Sequence, residues 1–305
     1  MLKALVIEDD GDAWGADRWN YRNVIGAFEH ERKKFSILKQ GPVRTIKESV
    51  FTYQKSAIVL NTISYADWNV LEFHMRIQWN EQQKRLKLSI PTVFTTGTVL
   101  CEIPGGAIHR PADGEEHVHS RWCMVNGALD GEEIGLGIVH NGQHGIDFKN
   151  GEIRLSVLRS AAYCHEQGFK IDETPSRKFM DQGIHDVRLL VTAGQRDGIL
   201  RSLSGLADWL AAPPATYTHL PIGSKFDGTS LITINDPSIR LLSCNQSLDR
   251  KALTVRLQET TGHRVKTKAV IDKRKVSLSF QPFEIVTLRV SRSGTIQSVS
   301  LLEEA

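Results

Sequence analysis

Val70-Leu71-Glu72-Phe73-His74-Met75-Arg76-Ile77-Gln78-Trp79 decides the fold class, because apolar and polar residues alternate along it with the period of a strand. One side of such a strand is expected in a core and the other in water. Val43-Arg44-Thr45-Ile46-Lys47-Glu48-Ser49-Val50-Phe51 has the same pattern, and shorter runs follow at 85–94, 135–139, 153–158 and 186–191. Gly, Pro, Asn and Asp turns separate them. Many short strands without intervening helices predict packed antiparallel sheets.

Working outward, the one helical stretch is Gly205-Leu206-Ala207-Asp208-Trp209-Leu210-Ala211-Ala212, which Pro213-Pro214 ends and which reads as a connector. A second alternating series follows: 230–234, 239–243, 252–259, 276–280 and 284–290. These predict an all-β chain of two domains, a large one over 1–225 and a small terminal β-sandwich over 226–305.

The chain has 305 residues with 38 basic and 35 acidic side chains, and neither sign forms a long block. Nucleic acid is therefore not an expected partner. No apolar run approaches the roughly 20 residues of a membrane helix, and no signal segment is recognisable, so no membrane partner is expected. Cys101, Cys123, Cys164 and Cys244 form no CxxC pair, which favours a reducing, cytoplasmic setting without a zinc ribbon.

Motifs with chemistry are sparse. His117-Val118-His119 would put two imidazoles on one face of a strand, a spacing that can seat a metal, but a turn-rich run precedes it and solvated loop histidines are the expectation. The turn His140-Asn141-Gly142-Gln143-His144-Gly145-Ile146-Asp147 is either a binding loop or a glycine-assisted hairpin satisfying its own backbone. Trp79 and Trp122 read as core residues, whereas Trp14 and Trp19 are free for a sugar ring or a domain contact. The acidic residues form no recognisable glycosidase pair, and there is no GxSxG elbow, P-loop, dinucleotide fingerprint or HExxH helix. No catalytic residue is assigned.

Taken in order, the segments resemble the C-terminal region of family 38 α-mannosidases. The resemblance rests on Glu8-Asp9-Asp10-Gly11-Asp12-Ala13-Trp14-Gly15, Gly41-Pro42-Val43-Arg44, Trp79-Asn80-Glu81 with Leu86-Lys87-Leu88, and Ser120-Arg121-Trp122. It continues through 141–147 and Ile153-Arg154-Leu155-Ser156-Val157-Leu158-Arg159-Ser160, then Asp181-Gln182-Gly183-Ile184-His185 and the segments 255–262 and 281–288. It implies a mutarotase-like antiparallel supersandwich, lacking its first strands, followed by a small C-terminal β-sandwich. It also implies that the nucleophile and the zinc ligands lie on an absent N-terminal barrel, so this chain alone is expected to be inactive and to hold no cofactor. The implied partners are a mannose-containing carbohydrate and the missing barrel in cis or trans, with a homo-oligomer formed through open strand edges. By motif position Arg159 reaches either the substrate or a carboxylate across the interface, and Asn141, His144 and Asp147 are further substrate-binding candidates. A stand-alone carbohydrate-binding module is the alternative.

Overall fold

The computed structural model describes residues 2–14, 20–31, 35–95, 97–166, 171–172, 174–215 and 230–303. The chain divides into two compact units, one of Met1–Ile103 with Ile108–Ile199 and one of Pro104–Ala107 with Leu200–Ala305. The expected boundary at 225/226 lies outside the described residues.

In the first unit, a six-stranded antiparallel sheet runs edge to edge as His117–Val118, Gly145–Lys149, Glu152–Arg159, Lys84–Pro91, Lys3–Glu8 and Val24–Ala27. The second sheet includes Thr98–Ile103, Trp122–Leu129, Glu132–His140, Gly183–Gln195, Leu71–Trp79, Ser56–Tyr65, Arg44–Tyr53 and Glu29–His30 in that order. Hairpins of both sheets turn where the sequence permits positive φ. Asp130 and Gly131 adopt φ of 53° and 85°, and Asn150 and Gly151 adopt 51° and 77°, the tight turn that follows the twist of paired strands. Both strand assignments from the opening stretches hold, as Leu71–Trp79 and Arg44–Tyr53.

The two sheets bury one apolar layer between them. Val6, Leu86, Leu88, Ile146, Ile153 and Leu155 from the six-stranded sheet meet Met75, Ile77, Trp79, Cys101, Cys123, Val125, Ile138 and Leu189 from the other. Each large side chain so buried contributes roughly 1.5–3 kcal/mol. Trp79 and Trp122 are core residues as expected, 0% and 1% exposed.

The second unit contains a three-stranded sheet (Ile232–Ile234, Val265–Ile271, Arg274–Phe280) and a four-stranded one (Ile239–Gln246, Ala252–Glu259, Ile285–Ser291, Ile296–Val299). Val255, Leu257, Ile271, Phe280 and Leu288 form its core. The helix spans Arg196–Ala211, beginning nine residues before the sequence-based start. Gly198 and Gly205 obscure a helical period that Ile199, Leu200, Leu203, Leu206, Ala207 and Leu210 all obey by being buried. Burial of that stripe outweighs the two glycines.

Candidate functional site

The strand Lys84–Pro91 shows why alternation alone misleads here. Leu86 and Leu88 enter the core, as the pattern requires, but the opposite face with Arg85, Lys87 and Ser89 is also buried. Lys87 is 0% exposed. The polar side of this strand is therefore not in water as expected; it is packed into a network of charges. Unpaired, such groups would cost several kcal/mol each.

Arg159 reaches that face through a β-bulge. Ser156 is opposite Lys87 and Leu158 opposite Leu86, so Val157 is the extra residue and the register shifts by one. Strict alternation from Glu152 would point Arg159 into the core. After the bulge it stands opposite Arg85 on the charged face. Its Nε and Nη2 donate to the two oxygens of Asp9 at 2.7 and 3.1 Å, and its backbone N–H donates to Asp181 at 2.9 Å. Asp9, 3% exposed, also accepts from Arg85 at 3.4 Å, and the Arg85 guanidinium lies 3.6 Å from the centre of the Tyr21 ring.

The network continues inward. Arg85 pairs with Glu116 at 3.0 Å, and Lys87 bridges Glu116 and Asp147, the latter at 2.5 Å. Asp147 is 1% exposed, with Oδ1 engaged by Arg22 and Oδ2 by Lys87. Arg22 and Arg154 both reach Glu152, at 2.6 and 2.9 Å. Burial alone would raise the Glu116 carboxyl, but Lys87 and Arg85 outweigh it and hold the group below its usual value. At Asp147 burial dominates and raises the carboxyl, with Lys87 and Arg22 pulling the other way. Arg159 and Asp147 thus share one network, through Asp9, Arg85, Glu116 and Lys87.

The histidines form a second, separate cluster. His140 Nδ1 accepts the N–H groups of Gly142 and Gln143 at 3.3 and 3.0 Å, so its proton sits on Nε2. That Nε2 donates to His119 Nε2 at 2.7 Å, and His119 Nδ1 donates to the His144 carbonyl at 3.1 Å. Burial lowers His119 to about 4 and His140 to about 2. His119 is 3% exposed, so it is not the solvated loop histidine expected; pairing with His140 inside the fold draws it in. Nor is it half of a ligand pair with His117, whose Nε2 faces Asp113 at 3.3 Å. Every lone pair of the buried pair is committed, leaving none for a cation. Among the described residues no group of three or more His, Cys, Asp or Glu side chains could hold a metal ion, so the residues present do not fit zinc.

Asn141 and His144 flank this pair at the surface. Asn141 Oδ1 accepts the Arg188 N–H at 2.9 Å, and His144 Nδ1 donates to the Ser120 carbonyl at 2.8 Å. The turn therefore satisfies its neighbours' backbone, with His144 exposed. Asn141 spends its side chain on the strand Gly183–Gln195, whereas Asp147 points into the charged face. Trp14 is 73% exposed, its ring 5.4 Å from that of His165, beside the loop in which Asp12 and Ala162 form a bridge. The Asp9 to Trp14 motif and Arg159 thus occupy one corner of the unit. Trp19 lies outside the described residues.

Sequence reasoning missed Asp9, Tyr21, Arg22, Arg85, Lys87 and Glu116. The one signal was Arg85-Leu86-Lys87-Leu88-Ser89, charged at alternate positions beside a strand of aliphatic residues on both faces, Ala4-Leu5-Val6-Ile7. An aliphatic neighbour on both faces indicates that neither face is wet.

Two antiparallel β-sandwich units, the first with a buried charged face ending in a surface corner, define a β-sandwich protein of supersandwich type. The sequence profile of the "Glycosyl hydrolases family 38 C-terminal domain" matches residues 4–167, more than half of the chain, and the chain belongs to that family. An α-mannosidase from Enterococcus faecalis V583 superimposes with a TM-score of 0.75 at 14% identity, over 95% of this chain and 38% of that one. A glycosyl hydrolase family 38 protein from Enterococcus faecalis gives 0.76 at 14% identity, over 95% of this chain and 40% of that one. The chain spans about two-fifths of the length of these solved structures, and the likeness shows the fold. No curated protein sequence matches the chain.

Proposed function

We propose that this chain is the C-terminal β region of an α-mannosidase-like glycoside hydrolase, supporting a catalytic barrel supplied in cis or trans and edging its sugar pocket. In the whole enzyme the reaction is retaining hydrolysis of α-mannosides with zinc held by the barrel, in the cytoplasm. The observation that carries the reading is the corner of Arg159, Asp9 and Trp14, built from two segments inside the family match, 23% exposed at the Arg159 side chain and held rigid by a bidentate carboxylate. A planar guanidinium whose orientation is fixed in this way suits the recognition of sugar hydroxyls at the edge of a pocket. His144, at the exposed end of its turn, is a further contact on this reading, with the exposed Asn141 beside it, whereas Asp147, buried and paired through both oxygens, takes part only by anchoring the charged network.

The test is an assay of the purified chain with zinc against 4-nitrophenyl α-mannoside. No turnover is expected from the chain alone, and turnover should appear when a family 38 catalytic barrel is supplied. Hydrolysis by the chain alone at an enzyme-like rate overturns the proposal. Trp14, exposed on a loop, favours a second reading, a carbohydrate-binding module. Calorimetric binding of mannose or mannobiose to the chain alone at millimolar concentration or tighter, abolished by Trp14→Ala, would select it.

A further inference from the structure

The charge of the chain is unevenly distributed. Residues 230–303 carry twelve basic and six acidic side chains, while the whole chain is only +3, so the rest is net acidic. Three of these basic side chains lie together at one end of the second unit. There a groove of about 320 Å³ is lined by Arg250 and Lys251 from the turn after Ile239–Gln246, and by Arg292 from the end of Ile285–Ser291. Among the described residues none of these three side chains forms an ion pair or hydrogen bond, and all three are exposed.

The scaffold under them is specific. Ser247 Oγ donates to Asp249 Oδ1 at 2.7 Å, and the same oxygen accepts the Lys251 N–H at 3.0 Å. The Ala252 N–H donates to Ser247 Oγ at 2.9 Å. Arg250 is thereby held at φ 60°, the left-handed region that a non-glycine residue occupies only under constraint. The groove floor is a rung of the ladder, Ala252 opposite Ser291, whose small side chains leave the space open. The nearby carboxylates are already neutralised: Asp249 pairs with Arg289 at 2.6 Å, and Asp272, which also lines the groove, pairs with Arg274. What remains is three unpaired cations around the concavity, with Gln246, whose Nε2 donates to the Arg250 carbonyl at 3.1 Å, also lining it.

We infer that this end of the terminal β-sandwich binds a phosphorylated sugar, with Arg250, Lys251 and Arg292 around the phosphate and the remaining volume holding the ring. Guanidinium forks suit the oxygens of a phosphate monoester, and the volume, at the lower end of the range for small-molecule sites, exceeds what phosphate alone fills. The choice of mannose for the ring rests on the proposed function above; the phosphate end stands without it.

Calorimetry on the full chain with mannose 6-phosphate, inorganic phosphate and mannose, at low and raised salt, tests the site. Mannose 6-phosphate should bind, weakening as salt rises; inorganic phosphate should bind more weakly and mannose not at all. Arg250→Asn keeps the backbone content, since Asn accepts positive φ, and with Arg292→Gln should weaken the sugar phosphate by about tenfold or more. Lys268→Gln, on a different groove of the same unit, should leave binding unchanged. Three results overturn the inference: no binding at millimolar concentration, equal binding by the Arg250 and Arg292 variant with unchanged circular dichroism, or inorganic phosphate binding as tightly as the sugar phosphate. Glucose 6-phosphate binding as tightly as mannose 6-phosphate keeps the site and removes only the mannose preference, which separates this test from that of the proposed function.

Discussion

Replacing Lys87 by methionine removes a buried cation while keeping the length of the side chain. Lys87 is 0% exposed and joins Glu116 to Asp147, whose side chains are 12% and 1% exposed. Breaking a buried pair from one side costs about 3–5 kcal/mol, because a charge is left uncompensated. Here each carboxylate keeps one cation, Arg85 for Glu116 and Arg22 for Asp147, so the low end, about 3 kcal/mol at pH 7, is expected. For a unit of this size each kcal/mol shifts the melting temperature by roughly 2–4 °C. The sign with pH follows from Asp147, whose carboxyl is already raised above 3.8 by burial and rises further without Lys87. A carboxyl raised in the folded state weakens the fold at pH above its folded value, and the penalty fades as pH falls through that value and below 3.8. The deficit of Lys87→Met should therefore be largest at neutral pH and shrink toward pH 4, and Asp147→Asn added to it should recover part of the loss at pH 7. Urea unfolding followed by circular dichroism measures both. A deficit below about 1 kcal/mol, or one that does not vary with pH, would mean that the buried face behaves as a surface ion pair and refute the reasoning.

The histidine pair predicts the opposite slope: with His119 lowered to about 4, stability falls as pH drops from 6.5 toward 4, by about 3 kcal/mol from His119 alone, and His140, lowered further, adds to the loss. His119→Gln should reduce that dependence in the same unfolding assay, leaving the part that burial of His140 contributes. In the second unit, Glu259 is fully buried and accepts the N–H groups of Thr261, Gly262 and Phe283 at 2.7, 2.8 and 3.0 Å, so Glu259→Gln, which turns one acceptor into a donor, should destabilise by about 1–3 kcal/mol in urea. Trp14→Ala, at an exposed position, should change stability by less than about 0.5 kcal/mol, so any effect on sugar binding or on turnover with a barrel is a direct one.

Much of the first unit was legible because its core obeys a period of two. Trp79, Met75 and Ile77 are where alternation puts them, and the turns at Asp130-Gly131 and Asn150-Gly151 are readable from residue type alone. The helix was only half legible, since its register became clear once burial of Ile199 and Leu203 showed which face mattered. The candidate site was legible at Arg159 through family resemblance and not through pattern. Its bulge at Val157 depends on the neighbouring strand, against which the extra residue is measured.

By itself the sequence determined that the chain is built of antiparallel strands, that Trp79 and Trp122 are interior, and which family its ordered motifs resemble, because each is a property of neighbouring residues. Only the tertiary structure decided that Lys87 and Asp147 are buried partners 60 positions apart, that Asp9 holds Arg159 across 150, and that His119 is paired with His140 and not open to a metal. Those facts depend on which strands lie side by side and on what covers them. Long-range pairing of charges leaves no periodic trace in a single chain, since either partner alone reads as an ordinary polar residue on the wet side of a strand.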